Sequence, residues 1–184
     1  MRLFGALLLA LALTRALAVA PAAADDDWVF YTKDKTHYTS PWYKGAHRIM
    51  IPFGCTRAPY YDADPRCKKD RGFHHGIDIA MKCGTPLYAR TRGWVASNDA
   101  LGPAYGASPL RLRNFDQEWD VVIGHTRRVF VEPGDRFRKG QKLALASDDA
   151  APDGCHLHFE KRALGGELSS AVTPRKLLRL NPKR

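Results

Sequence analysis

Two short clusters of histidine and acid carry the donor chemistry of this chain. The first is Gly72-Phe-His74-His75-Gly76-Ile77-Asp78, with a histidine four residues before an aspartate. The second is Gly154-Cys-His156-Leu157-His158-Phe159-Glu160, with two histidines one residue apart. Imidazole nitrogen and carboxylate oxygen are both good zinc ligands, and an open zinc centre takes three protein donors plus water. The His-x-His spacing suits a strand, where residues i and i+2 face the same side with Cα atoms about 7 Å apart. The His74-to-Asp78 spacing does not, because a straight strand would hold those residues about 13 Å apart. The backbone must bend between them, and Gly76 supplies the freedom to do so. Either cluster alone also fits an ordinary surface pair or a satisfied core pair. Spacing leaves open which of His156 and His158 would bind a metal. Glu160 lies two residues past His158, so on a strand it either shares that face and orients the imidazole or is a solvated strand-end charge.

The elements that must position these residues read as strands. Short apolar runs at Arg48–Phe53, Ile77–Met81, Leu87–Ala89, Gly93–Ala96, Trp119–His125, Val129–Val131, Leu143–Ala146 and His156–Lys161 alternate with Gly, Pro, Asn and Asp turn signals. That pattern predicts an all-β protein, a small antiparallel sandwich or barrel. Residues 55–72 and 98–118 read as long loops. Residues 25–47 read as an extended arm lying on the domain, and Pro174 to Leu180 as a single short C-terminal helix with proline at its start. Tyr88 and Trp94 are expected in the core, His37 and His47 in solvent, and His75 on the opposite face from its neighbour His74.

The chain has 184 residues, 29 Lys and Arg against 19 Asp and Glu, 45% hydrophobic and 26% charged residues. These values suit one globular domain and exclude a disordered or fibrous chain. Residues 1–24 have a basic start, an apolar run and a small-residue end before Asp25-Asp26-Asp27, which is the layout of a cleaved secretory signal. Arg15 interrupts the apolar run, which disfavours a membrane helix, and no later run approaches the ~20 residues that a span needs. No Cys near the cleavage point offers a lipid anchor there. Arg2 and Arg15 leave with the leader and no acid does, so 27 basic residues against 19 acidic ones give the exported chain a charge of +8. Export places Cys55, Cys67, Cys83 and Cys155 in an oxidising setting. Three pairings are possible. Cys55–Cys67 with Cys83–Cys155 is favoured, because the second bridge would clip together the segments that carry the two histidine clusters. No Cys-x-x-Cys pair suggests a zinc knuckle.

Several separated blocks together resemble the lysostaphin/LytM-type zinc metallopeptidases. Arg48-Ile-Met-Ile-Pro-Phe-Gly54, His74-His-Gly-Ile-Asp-Ile-Ala80 and Gly84-Thr-Pro-Leu-Tyr-Ala89 resemble that family's opening. Asp120-Val-Val-Ile-Gly-His125 resembles its strand ending in a functional histidine, and Val131-Glu-Pro-Gly-Asp-Arg-Phe-Arg-Lys-Gly-Gln141 the turn that follows. His156-Leu-His-Phe-Glu160 resembles its closing signature. The blocks stand in family order over residues 48–162. The resemblance implies His74, Asp78 and His158 as zinc ligands, and His125 and His156 as the pair acting on water and oxyanion. Loops 55–72 and 98–118 depart from the family in length, which puts substrate choice in question, and Thr173 to Arg184 lies outside the resemblance.

The reading is therefore an exported zinc endopeptidase acting on peptidoglycan peptides, organised as leader 1–24, arm 25–47 and catalytic domain 48–184, and expected to be a monomer. Zinc would lower the pKa of water from about 15.7 towards 7. The alternative is an exported wall-binding or activating module of the same fold without turnover. The full set of five site residues speaks against it. The basic surface, including Arg127-Arg128, Arg136, Arg138-Lys139 and Arg175-Lys176, fits an anionic wall polymer. Nucleic acid would suit the same charge, but no recognition helix or aromatic-basic interleaving in the β segments supports it.

Overall fold

The computed structural model describes residues 28–97, 101–114 and 119–183. The leader 1–24, the first residues of the arm and parts of the 98–118 segment lie outside the described residues. β1 (His37–Ser40) and β2 (Tyr43–Ile51) form a first hairpin, and β3 (Gly54–Thr56) and β4 (Gly72–His74) a second. β5 (Ile77–Ala80), β6 (Pro86–Tyr88), β7 (Gly93–Ala96), β8 (Leu110–Asn114) and β9 (Trp119–Gly124) follow. The chain continues through β10 (Thr126–Arg127), β11 (Arg136–Phe137), β12 (Lys142–Ala146) and β13 (His156–Ala163). It ends with the one-turn helix α1 (Arg175–Leu178) and β14 (Asn181–Pro182).

All strands but β3 and β4 join one antiparallel sheet that curls into a half-barrel. Its order is β10-β12-β6-β2-β5-β13-β9-β8-β7-β11, with β1 on β2 and β14 on β1. The fold is all-β with one short helix, as the sequence predicts. β13 sits between β5 and β9, and its alternation divides the molecule. Leu157 and Phe159 point into the apolar core with Ile79, Ile123, Trp42 and the α1 residues Leu177 and Leu178. His156, His158, Glu160 and Arg162 point to the other face and are also buried. Trp42 meets the Phe159 ring edge-on at 4.8 Å between centroids. Burial of each large apolar side chain contributes about 1.5–3 kcal/mol.

Four local expectations are corrected. The arm does more than lie on the domain: from His37 onward it joins the sheet as β1 and the start of β2, with Tyr38, Trp42 and Tyr43 buried in the core. The 98–118 segment contains β8, whose Leu110 and Leu112 pair across to Ile123 and Val121 of β9. Val129–Val131 is not a strand. Arg128 turns the chain at φ +47°, Phe130 is exposed, and only its amide joins the sheet side, donating to Leu143 O at 2.8 Å. Tyr88 and Trp94 are half-buried rather than fully in the core. Disulfides join Cys55 to Cys67 and Cys83 to Cys155, the favoured pairing.

Candidate metal centre

His74 ends β4, Asp78 lies on β5, and the chain bends at His75-Gly76 between them. A Cβ on Gly76 would lie 2.8 Å from His158 Cε1 and 2.9 Å from Phe159 O, so the bend brings this backbone against β13 where only glycine fits. β13 pairs His158 directly with Asp78 of β5 and with Gly124 of β9. His125 follows at once, in the left-handed region at φ +53°. Such a conformation is strained for histidine and persists only when its surroundings fix it. Here the His125 amide donates to Tyr105 O, and its carbonyl accepts from both the amide and the hydroxyl of Ser147.

These placements bring His74, Asp78 and His158 together. His158 Nδ1 is 2.8 Å from Asp78 Oδ1, His74 Nε2 is 3.3 Å from the same oxygen, and the two nitrogens are 3.3 Å apart. Donors at about 2.0–2.1 Å around a tetrahedral zinc ion stand about 3.3 Å from one another, so the triangle fits such an ion with little rearrangement. All three residues are buried. A second donor cluster, Cys83, Asp148 and Cys155, holds the disulfide.

Each ring's outer nitrogen fixes which nitrogen faces inward. A carbonyl only accepts, so His74 Nδ1 donates to Pro52 O at 3.2 Å, His156 Nδ1 to Gly154 O at 2.8 Å and His125 Nδ1 to Asp149 O at 2.7 Å. Each leaves its Nε2 lone pair free. His158 is reversed: Nε2 meets Glu160 Oε1 at 2.9 Å and Nδ1 turns inward. His156 Nε2 is buried without a hydrogen-bond partner, 3.7 Å from Asp78 Oδ1. The His125 and His156 rings meet at 4.5 Å between centroids. An orphaned buried nitrogen is costly, and here it points at the donor triangle.

The electrostatics follow from burial and neighbours. Burial alone would raise the Asp78 carboxyl, but the imidazoles of His74, His156 and His158 outweigh it and hold it well below the usual carboxylate range. Burial alone would lower His158; the carboxylates of Asp78 and Glu160 outweigh it and push it up. Burial, then His156 and His158, push the acid form of His125 down to about 3, so this ring is neutral.

Glu160, whose role the spacing left open, and residues that spacing did not single out complete the walls. Glu160 is fully buried, not a solvated charge, and binds Arg162 Nε at 2.6 Å and the Tyr105 hydroxyl at 2.8 Å. Tyr105 stands edge-on to His158, and Tyr61 tilts over His74, each at 5.5 Å. The Tyr60 hydroxyl donates to Asp153 at 2.7 Å, and the other Asp153 oxygen lies 3.7 Å from His156 Nδ1. Arg162 was readable as the next i+2 position after Glu160. The tyrosines lie in irregular loops with no periodic signal. His75 faces away, its Nε2 2.9 Å from Arg66. His37 is exposed and His47 half-buried, and neither belongs to the donor triangle.

Residues 72–170 match Peptidase family M23, more than half of the chain, and the chain belongs to that family. An uncharacterized metalloprotease of Haemophilus influenzae is 30% identical over 87 residues, 47% of this chain and 18% of the relative. The peptidoglycan DD-endopeptidase ShyA of Vibrio cholerae is 26% identical over 87 residues, 47% of this chain and 20% of the relative. The chain thus spans about a fifth of the length of these curated relatives. The catalytic domain of lysostaphin from Staphylococcus simulans shares the fold with a TM-score of 0.59 and 22% identity, over 72% of this chain and 92% of that one. No helix among the described residues is long and apolar enough to cross a membrane.

Proposed function

We propose that this chain is an exported zinc endopeptidase that hydrolyses peptide bonds in peptidoglycan cross-links or bridges. The observation that carries the reading is the convergence of His74 Nε2, Asp78 Oδ1 and His158 Nδ1, with the unpartnered His156 Nε2 beside them. His74, Asp78 and His158 would hold the metal. Bound zinc would supply Lewis acidity, polarising the scissile carbonyl and easing loss of a proton from water near neutral pH. His125 and His156 share the proton work: one accepts the proton of the attacking water, and the other donates to the developing oxyanion. Tyr61 beside His74 and Tyr105 beside His158 wall the cleft and limit water around the reacting groups. The peptidoglycan substrate is supported by family membership and by the name of the Vibrio relative.

Purified sacculi test the proposal. The wild-type protein should release muropeptides, and a chelator or His156→Ala should abolish release. Unchanged release by His74→Ala would overturn the zinc assignment. Binding to sacculi with no release by the zinc-loaded wild type would instead establish a non-catalytic wall-binding module.

A further inference from the structure

On the opposite face of the sheet from the metal centre lies a groove of about 620 Å³ whose lining carries four cations and no acid. Lys161 is three residues beyond His158 on β13, roughly 10 Å along the strand, and odd spacing turns it to the other face. Its partner strand contributes Trp119, the first residue of β9. The last segment of the chain supplies Arg175, Lys176 and Leu177, and Arg90 closes the groove, donating to Leu177 O at 3.2 Å. Val172, 49% exposed and bridged to Lys161, extends the apolar floor.

The cations are crowded rather than neutralised. Among the described residues no ion pair joins Lys161 or Lys176 to a carboxylate, and the Lys161 ammonium rests over the Trp119 ring at 5.6 Å from its centroid. The Arg175 guanidinium lies over the Tyr38 ring, 3.5 Å from its hydroxyl, and helps to hold the Asp34 carboxyl low. Burial, then the nearby positive charge of Arg179, make the Arg90 guanidinium easier to deprotonate than usual. An anion would relieve that repulsion. The aromatic and aliphatic floor fits the apolar face of a sugar ring, and the rim of cations fits carboxylates spaced along a polymer.

We infer that the groove formed by Trp119, Lys161, Arg175 and Lys176 is a second binding surface for the peptidoglycan substrate, holding its sugar rings and stem-peptide carboxylates away from the catalytic cleft. The inference rests on the proposed substrate, but it concerns a surface that does no chemistry. Its role would be to hold the enzyme on the insoluble polymer while the cleft samples nearby peptides, which raises their local concentration.

The test is cosedimentation of chelator-treated protein with purified sacculi, alongside zinc-loaded hydrolysis of sacculi and of a small soluble cross-linked peptide dimer. Lys161→Glu/Lys176→Glu should weaken sacculus binding about tenfold and flatten its salt dependence. It should slow release from sacculi and leave turnover of the soluble dimer unchanged. Thr173→Glu, an exposed substitution in the groove wall, should act in the same direction and keeps the test informative if the double variant does not fold. Amidation of sacculus carboxylates should abolish the wild-type advantage, whereas removal of attached phosphate polymers by hydrofluoric acid should not. Unchanged binding by both variants would overturn the inference. So would loss of binding after acid stripping, or equal affinity for duplex DNA. If the wild type cleaves neither substrate, the catalytic reading fails, and the cosedimentation arm still decides the groove.

Discussion

Four imidazoles turn a ring nitrogen into this cleft, and in each the partner of the opposite nitrogen decides which one. Carbonyls of Pro52, Gly154 and Asp149 fix His74, His156 and His125, while Glu160 fixes His158. Identity and function at these residues separate experimentally. His156→Ala should lower peptide hydrolysis by about 100-fold or more while bound zinc, measured by elemental analysis, stays near one per chain. His74→Ala should lose both. Glu160→Gln can keep an oxygen for Arg162 but then turns an NH2 towards His158 Nε2 and the Tyr105 hydroxyl, which removes the acceptor that orients His158. It should cut zinc affinity by about tenfold, read by competition with a chromophoric chelator, with the far-ultraviolet dichroism unchanged. Most of this was legible in the sequence: His74, Asp78, His156 and His158 from residue type and spacing, and His125 from its resemblance to a family block. The carbonyl partners were not, because a backbone oxygen carries no side-chain identity, and its position depends on how three separate loops fold back.

At the scale of elements, the two-residue alternation of β13 does most of the positioning, since one strand supplies both core residues and site residues on opposite faces. That alternation was readable directly. The bend at Gly76 was readable as a need, and the structure adds its reason, close contact with β13. Gly76→Ala should therefore destabilise the domain by about 1–3 kcal/mol through overpacking, seen in urea unfolding, and should lower zinc content by shifting His158. The Cys83–Cys155 bridge ties the turn after β5 to the residue before His156, across 72 residues of sequence. Replacing both cysteines with serine should cost about 4 kcal/mol by loop entropy, measured against the oxidised wild type. Val129–Val131 shows where local signal failed. Its β-branched and aromatic composition suits a strand, but the chain makes a left-handed turn at Arg128 and then buries Val131 in the core without a strand partner, so tertiary placement outweighs propensity.

For the whole molecule, metal and charge couple the site to stability. Zinc, if held by the native state alone, would stabilise it by about 2.7 kcal/mol at a free concentration a hundred times Kd. Chelation should accordingly lower Tm by about 5–10 °C, followed by calorimetry. Asp120 is fully buried on β9 and binds Arg111, Arg113 and the Gly165 amide. Burial would raise its carboxyl, but Arg113, the Gly165 amide and Arg111 outweigh burial and lower it. A lowered folded pKa contributes stability that is present above the unfolded value, about 3.9, and is lost as pH falls through the folded value. Asp120→Asn should be destabilised by about 3 kcal/mol at pH 7, and its deficit against wild type should shrink below pH 4 in urea titrations. The sequence by itself determined the all-β class, the two donor clusters, the disulfide pairing most consistent with them and the resemblance that proved to be family membership. These follow from residue type and local periodicity, which act over a few positions. Only the tertiary structure decided that the donor atoms close to a triangle of 2.8–3.3 Å, that Tyr61 and Tyr105 wall it, and that four cations gather on the far face. Each depends on segments tens of residues apart meeting across a curled sheet, and register and curvature are set by packing of the whole core.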